Sequence, residues 1–294
     1  GESEIAVSAS LPASLEAEFS TKAPVDGSAQ MTLYFARSDE SSTGVWGGYG
    51  TTVLNASRAA GTGSRTLTFT TKQYYQRTGL KTRMMGWYPS ATSYTSGVVN
   101  WTVNGTQDVL CAPSQEGSKT AAMPAFTFSH QLTQLQFFCY AENATAVAQW
   151  GKITAIRVLG QRTGAFAFSG STASLSVPGI TAAIPPVGNA LAATQYGQAL
   201  MIEPRTADTQ LFLEIDTEKQ GTQAAMIAAK SYPAGQSVKI YICMAEHMIS
   251  IDPDGCEIVP WVDPVTVTSG YPFVLEDGST IVARDVYGYS DPAS

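Results

Sequence analysis

Hydrophobic and polar residues alternate with a period of two in many short segments of this chain. The longest alternating set is Val238, Ile240, Ile242 and Met244. Four further sets show the same pattern: Met31/Leu33/Phe35, Leu67/Phe69, Leu135/Phe137/Cys139 and Leu211/Leu213/Ile215. A period of two is typical of strands that bury one face. The pattern therefore predicts a protein built mainly from β-sheets.

Turn-forming residues separate several of these segments. Asn104-Gly105 precedes residues 109–110, and Asp277-Gly278 lies between residues 273–275 and 281–282. Asp252-Pro253-Asp254-Gly255 lies between residues 249–251 and 257–261. Asx-Gly and Pro-Asp-Gly sequences favour tight turns. We therefore predict a turn at Asn104-Gly105 and hairpins around Asp252-Pro253-Asp254-Gly255 and Asp277-Gly278.

Helical patterns are few and short. Residues 14–19 and 144–150 could each form a turn or two of helix, and residues 224–230 are ambiguous. None of them has a long amphipathic stripe. The expected fold class is therefore all-β.

The alternating segments fall into two groups. Residues 5–159 contain enough of them for one β-sandwich, and a second group begins near residue 199. Between the groups, residues 164–186 are rich in Gly, Ser, Ala and Pro. We predict two β-sandwich domains, residues 1–162 and 163–294.

Charge and composition narrow the classes of function. Only 14% of the 294 residues are charged, the net charge is −7, and no basic run occurs, so nucleic acid is not an expected partner. No apolar run approaches the roughly 18 residues that span a bilayer. Four cysteines without a CxxC pair, together with two histidines, argue against a zinc site. Cys243 and Cys256 flank a predicted hairpin and could pair; alternatively, Cys139 and Cys243 are buried thiols within apolar strands.

The chain shows no recognisable catalytic motif. GxSxG, phosphate-binding Gly-rich loops and HExxH are all absent from the sequence. His130 is best interpreted as a structural histidine, and His247 has no partner at the spacing of a metal site. A carboxylate pair remains open, because spatial pairing is invisible in sequence. We expect no enzyme activity, no cofactor and no metal.

Clustered aromatic residues leave a binding role open. The clusters are residues 46–49, Tyr74-Tyr75, Trp87-Tyr88 and Tyr94. Exposed aromatic rings could stack on sugars or bind a partner, whereas buried rings would only pack.

Five segments, in order, resemble the fimbrillin-like family, the type V pilins and fimbrial surface lipoproteins of Bacteroides-type bacteria. They are Ser20-Thr21-Lys22-Ala23 followed by Leu33-Tyr34-Phe35-Ala36-Arg37; Gly86-Trp87-Tyr88-Pro89; Asp108-Val109-Leu110-Cys111-Ala112; Phe126-Thr127-Phe128-Ser129-His130-Gln131-Leu132 with Leu135-Gln136-Phe137; and Tyr232-Pro233-Ala234-Gly235 with Ile240-Tyr241-Ile242, Ile258 and Trp261.

The resemblance implies two transthyretin-like β-sandwich domains and a place at the cell surface, in the outer membrane or a fimbrium. It implies other pilus subunits as partners and a lipid anchor through an N-terminal cysteine that this sequence lacks. It also implies that a protease cuts after a basic residue, usually Arg, and removes the first strand, whose groove then accepts a neighbour's strand. Lys22 stands at the matching position.

The residues themselves suit strand exchange. Ile5, Val7 and Leu11 alternate as a removable first strand should, and two C-terminal pairs, Val265/Val267 and Ile281/Val282, have donor character. Both ends could equally be ordinary strands of their own domains. The alternative function is a non-polymerising surface lipoprotein that binds glycans, or a host or bacterial surface receptor, through aromatic loops. A third and weaker hypothesis is that the chain is an accessory domain of a glycoside hydrolase.

Overall fold

A computed structural model describes residues 1–12, 31–91, 93–102, 108–141, 143–151, 153–159, 165–168, 173–176, 190–194, 200–260, 273–274 and 280–281. Nearly all regular structure in these residues is β-strand, which confirms the predicted all-β class. The one helix among them is α1 (Ala144–Trp150), where the sequence predicted it. Asn143 caps it, because the Asn143 Oδ1 accepts a 2.8 Å hydrogen bond from the Ala146 amide.

The strands of the first part of the chain are β1 (Ser8–Ser10), β2 (Met31–Ser42), β3 (Val45–Trp46), β4 (Leu54–Arg58), β5 (Arg65–Phe69), β6 (Thr82–Tyr88), β7 (Ser93–Thr95), β8 (Val98–Thr102), β9 (Leu110–Gly117), β10 (Phe126–Thr127) and β11 (Ser129–His130). The later strands are β12 (Thr133–Ala141), β13 (Ile153–Leu159), β14 (Ala165–Phe168), β15 (Ala173–Ser176), β16 (Ala190–Thr194), β17 (Leu200–Ile202), β18 (Arg205–Thr217), β19 (Gly221–Tyr232), β20 (Gln236–Ala245), β21 (Met248–Pro260), β22 (Phe273–Val274) and β23 (Thr280–Ile281).

The first part forms one large sheet in the order β10-β1-β5-β4-β2-β6-β9-β11, with β3 paired to β2. Its strands β2, β6 and β9 carry buried residues on both faces. Met84 and Met85 are adjacent in β6 and both fully buried, but Met84 packs in one cluster with Phe35, and Met85 packs in another with Trp87. This sheet is therefore the middle layer between two apolar clusters.

A small sheet covers the second of these clusters. Its order is β15-β14-β8-β7, and Val99 and Trp101 of β8 are buried in the cluster. β14 and β15 come from residues 164–186, the stretch rich in Gly, Ser, Ala and Pro between the two groups of alternating segments, and β14 pairs with β8 along the whole strand. The Gly/Ser-rich composition therefore did not indicate an unstructured connection.

Two four-stranded sheets, β17-β12-β20-β21 and β16-β13-β18-β19, form the later part. Phe137 and Ile240 from one sheet share a buried cluster with Val158 and Leu213 from the other, so the two sheets pack face to face. The buried clusters change between Leu132 and Leu135. This favours an earlier division of the chain than residue 162; the two transthyretin-like domains with that boundary stay a prediction.

One turn assignment from the sequence needs correction. Residues 252–255 do not form a hairpin turn, since they lie within β21, where the register against β20 shifts between Ile240 and Ile242. The hairpin turn is Glu246-His247, with Ala245 opposite Met248, and His247 adopts φ 64°. Residues 224–230 are part of β19 rather than helix. β22 pairs with β23 in antiparallel fashion, in agreement with the predicted hairpin, although Asp277-Gly278 itself lies outside the described residues.

Candidate strand-exchange groove

The first strand of the chain lies inside the large sheet rather than at its edge. β1 pairs with β5 in antiparallel fashion, with Ser8 opposite Thr66, and with β10 in parallel fashion, with Ala9 opposite Phe126. The groove is defined here as the space between β5 and β10 that β1 occupies. Without β1, both bordering strands would present unpaired backbone groups.

Residues 5–11 alternate between the core and the outside. Ile5, Val7, Ala9 and Leu11 are all buried in the cluster beneath the large sheet, whereas Ala6 is exposed. Three of these are the residues that their alternation in the sequence assigned to a removable strand. Full burial of an aliphatic side chain is worth about 1.5–3 kcal/mol, so the segment contributes substantially to the core.

Main-chain hydrogen bonds hold the segment on both sides and beyond β1 itself. The Leu67 amide donates to the Val7 carbonyl (3.0 Å), and the Phe128 amide donates to the Ser10 carbonyl (3.0 Å). Nearer the terminus, the Ile5 amide donates to the Gln73 carbonyl at 2.8 Å. Because these contacts use backbone atoms, they place little restriction on which side chains the strand carries.

A buried arginine also contacts the backbone of this strand. Arg58, at the end of β4, is 2% exposed, and its Nε donates a 2.7 Å hydrogen bond to the Ala9 carbonyl. Its Nη2 donates to the carbonyls of Gly61 (3.1 Å) and Gly63 (2.6 Å). No sequence pattern pointed to Arg58; an arginine at a core-facing position of a strand was the available signal.

Aromatic rings form the floor of the groove. Phe35 packs edge-to-face against Phe69, Phe126 and Phe128, with ring centroids 5.5, 5.0 and 6.1 Å away. All four rings belong to the same cluster as Ile5 and Val7. An empty groove would therefore expose an apolar trough, which favours occupation by another strand.

The covalent connection of this strand to the rest of the chain runs through residues 13–30. Lys22 is the first basic residue of the sequence, and the next is Arg37 in β2. Lys22 itself lies outside the described residues. A single cut after it would leave the strand held by non-covalent contacts alone.

Comparison with known proteins decides the family. The family model for fimbrillin-like proteins matches residues 21–261 of the 294. The chain belongs to the fimbrillin-like family. The resemblance seen in the sequence is thereby confirmed, and it makes the chain a fimbrial protein of the cell surface that assembles with other pilus subunits.

Solved structures share the fold. A candidate cell adhesion protein from Bacteroides uniformis has 14% identity and a TM-score of 0.61, covering 89% of this chain and 98% of its own. A second one, from Bacteroides ovatus, has 14% identity and a TM-score of 0.56, covering 89% and 99%. A third, from Parabacteroides distasonis, has 7% identity and a TM-score of 0.52, covering 88% and 99%. No curated protein matched the chain.

The C-terminal donor residues are only partly placed in this fimbrillin-like chain. Ile281 lies in β23, opposite Phe273 of β22, and β22 lies beside β12. Val265, Val267 and Val282 lie outside the described residues. Their role as donors stays a prediction.

Most of the clustered aromatic rings are engaged in packing. Trp87 is 1% exposed and stacks on Tyr94 at 5.5 Å, and Tyr75 is buried with its hydroxyl oxygen accepting from the Met123 amide (2.7 Å). Trp46 and Tyr49 are half-buried, with the Arg83 guanidinium 4.5 and 5.0 Å from their ring centroids. These contacts match the packing alternative more closely than an open sugar-binding platform.

The two histidines occupy structural positions in the fimbrillin-like fold. His130 Nδ1 lies 2.9 Å from the Asp108 Oδ2, a pairing that follows from β11 and β9 running side by side and that sequence distance concealed. His247 is a turn residue. In the described part of the chain, no group of three or more His, Cys, Asp or Glu side chains could hold a metal ion. The same residues include no helix long and apolar enough to cross a membrane.

Cys111 is a buried thiol whose pKa is raised by burial, as expected for a small apolar side chain. Cys243 lies opposite Ser250, and Cys256 lies opposite Ile240 in the β20–β21 ladder.

Proposed function

We propose that this fimbrillin-like protein is a subunit, or a tip or anchor adhesin, of a fimbrium at the outer membrane, and that it assembles by β-strand exchange. One observation carries the proposal: residues 1–12 fill a groove between β5 and β10 and are joined to the fold through a segment with one basic residue, Lys22. In this proposal, a cut at Lys22 releases the strand, and a neighbouring subunit supplies a replacement.

The energetics of the groove support exchange rather than simple loss. An emptied groove exposes the aromatic floor and leaves backbone groups of β5 and β10 without partners, each costing about 1–3 kcal/mol if it stays buried. A donated strand restores both the ladder and the apolar burial. Candidate donors are the segments with Val265 and Val267, or with Ile281 and Val282.

The proposal places the protein as a non-catalytic, two-domain lipoprotein with no cofactor. Its partners are other subunits and, for a tip adhesin, a surface receptor. The glycan-binding alternative draws no specific support from the aromatic clusters, because most of their rings are buried or packed against neighbouring side chains.

Incubation of the full chain with a trypsin-like protease tests the proposal. We expect an early cut at Lys22 and then a ladder of multimers on gels of unheated samples. Lys22→Gln should prevent both, and Lys22→Arg should retain both. A wild-type chain that is cut at Lys22 and stays monomeric contradicts strand exchange and favours the non-polymerising surface lipoprotein.

A further inference from the structure

Arg58 combines burial, a fixed guanidinium and a contact with the first strand. Its side chain lies on the core face of β4, as does the side chain of Ala56, and is almost fully buried. Its guanidinium is tied to the turn after β4 through the Gly61 and Gly63 carbonyls. Its Nε donates to the Ala9 carbonyl, which belongs to the segment that the proposed function treats as exchangeable.

We propose that Arg58 is the residue that holds a strand in the groove, whichever molecule supplies it. The contact is made with a main-chain carbonyl, so it is available from any strand that enters in the register of β1. The bonds to Gly61 and Gly63 fix the guanidinium in place before a strand arrives. For the identity of the exchanged strand, this inference rests on the proposed function.

The same contact favours replacement of a lost strand. When β1 leaves, Nε of Arg58 loses the 2.7 Å hydrogen bond that it donates to the Ala9 carbonyl. A hydrogen bond from a charged donor contributes more than one from a neutral donor. A main-chain carbonyl of an incoming strand restores this hydrogen bond, so the contact favours an occupied groove.

The neighbouring arginine provides a matched control. Arg65 lies on β5, directly opposite Ala9, but its side chain is exposed and its Nε donates to the Thr62 carbonyl at 2.7 Å. The two arginines have the same chemistry and flank the same residue. They differ in their side chains: that of Arg58 is buried and donates to the exchanged strand, whereas that of Arg65 is exposed and donates to Thr62.

The test measures strand release from the full chain after it has been cut at Lys22. A fluorophore on the N-terminal amine reports dissociation of the strand while an excess of unlabelled peptide of residues 1–22 prevents rebinding. The dissociation rate is measured at several urea concentrations and extrapolated to water. Arg58→Met should release the strand about tenfold to a hundredfold faster, the effect of losing one charge-assisted hydrogen bond. Arg65→Met should match the wild type within about twofold. Equal rates for Arg58→Met and wild type would overturn the inference.

A second measurement covers the case in which Arg58→Met does not fold. A synthetic peptide whose Ala9 carbonyl is replaced by a thiocarbonyl carries a weaker acceptor and leaves the protein unchanged. We expect it to leave the wild-type groove several-fold faster than the ordinary peptide; equal rates would overturn the inference. If the proposed function is wrong but the inference about Arg58 is right, the cut chain will not form multimers, yet Arg58 will still slow release of the first strand.

Discussion

Gly86 of β6 lies directly against the ring of Phe128: a Cβ atom at Gly86 would be 2.6 Å from Cζ of Phe128 and 2.8 Å from Cε1 of Phe35. Both rings belong to the floor of the groove. The glycine in Gly86-Trp87-Tyr88-Pro89 therefore permits the close approach of the large sheet to the rings that support the first strand.

Gly86→Ala should lower the free energy of unfolding by about 1–3 kcal/mol, because two aromatic rings would have to move in a packed core. Urea unfolding measures the change. Gly48→Ala is the control, since a Cβ atom there would meet no atom within 4 Å. Equal stability of the two variants would show that the rings have room to shift.

A chain that begins at Ala23 should fold, unfold at lower temperature and associate more readily than the full chain. It lacks the four buried residues at positions 5, 7, 9 and 11, but the remaining strands keep their own ladders. Sedimentation velocity and thermal unfolding check both effects. A truncated chain that stays monomeric, or that does not fold at all, argues against strand exchange.

The side-chain order in the groove predicts which C-terminal segment is the donor. The groove takes Ile5, Val7, a small residue at Ala9, and Leu11. Val265, Val267, Ser269 and Tyr271 repeat this order. The segment with Ile281 and Val282 fits less well. If Ala283 takes the place of Ala9, then Asp285 takes the place of Leu11, where a buried carboxylate has no partner.

Val267→Asp should therefore suppress association of the cut chain more strongly than Ile281→Asp, which places the same charge at the groove-facing position of the other candidate segment. The two substitutions introduce the same charge into the same part of the chain, so each controls for the other. Multimer yield by sedimentation is the readout. A stronger effect of Ile281→Asp would assign donation to the segment with Ile281 and Val282.

An ion pair on the later sheets predicts a pH dependence of stability. Arg157 donates from Nη1 to Oδ2 of Asp216 (2.7 Å), and Thr222 donates to Oδ1 (2.7 Å). These contacts lower the pKa of Asp216 below its ordinary value, mainly through the arginine. A lowered pKa in the folded state means that the stabilisation is complete above about pH 4 and is lost as the pH falls through the folded-state value.

Asp216→Asn should therefore lose less stability than the wild type on acidification below about pH 4. Arg157→Met should show the same shallow dependence, because it removes the main cause of the shift. Urea unfolding at a series of pH values measures the slopes. Parallel curves for Asp216→Asn and wild type would mean that the pair does not contribute.

The sequence by itself determined the all-β class, the short helix at residues 144–150 and the buried faces of the main strands. Alternation is a local property, and a strand with one buried face must show it in its own residues. For the same reason, the pattern of residues 5–11 alone was enough to assign Ile5, Val7 and Leu11 to one face of a first strand. The family followed from motifs whose residues stand close together in sequence.

Only the tertiary structure decided which strands meet. It placed β1 between β5 and β10, brought Arg58 to the Ala9 carbonyl 49 positions away, and paired His130 with Asp108. It also showed that the hairpin turn is Glu246-His247 and not residues 252–255. The Pro-Asp-Gly residues lie within β21, at the point where its register against β20 shifts. Pairing depends on contacts between distant segments, and no local pattern records which carbonyl a buried guanidinium will reach.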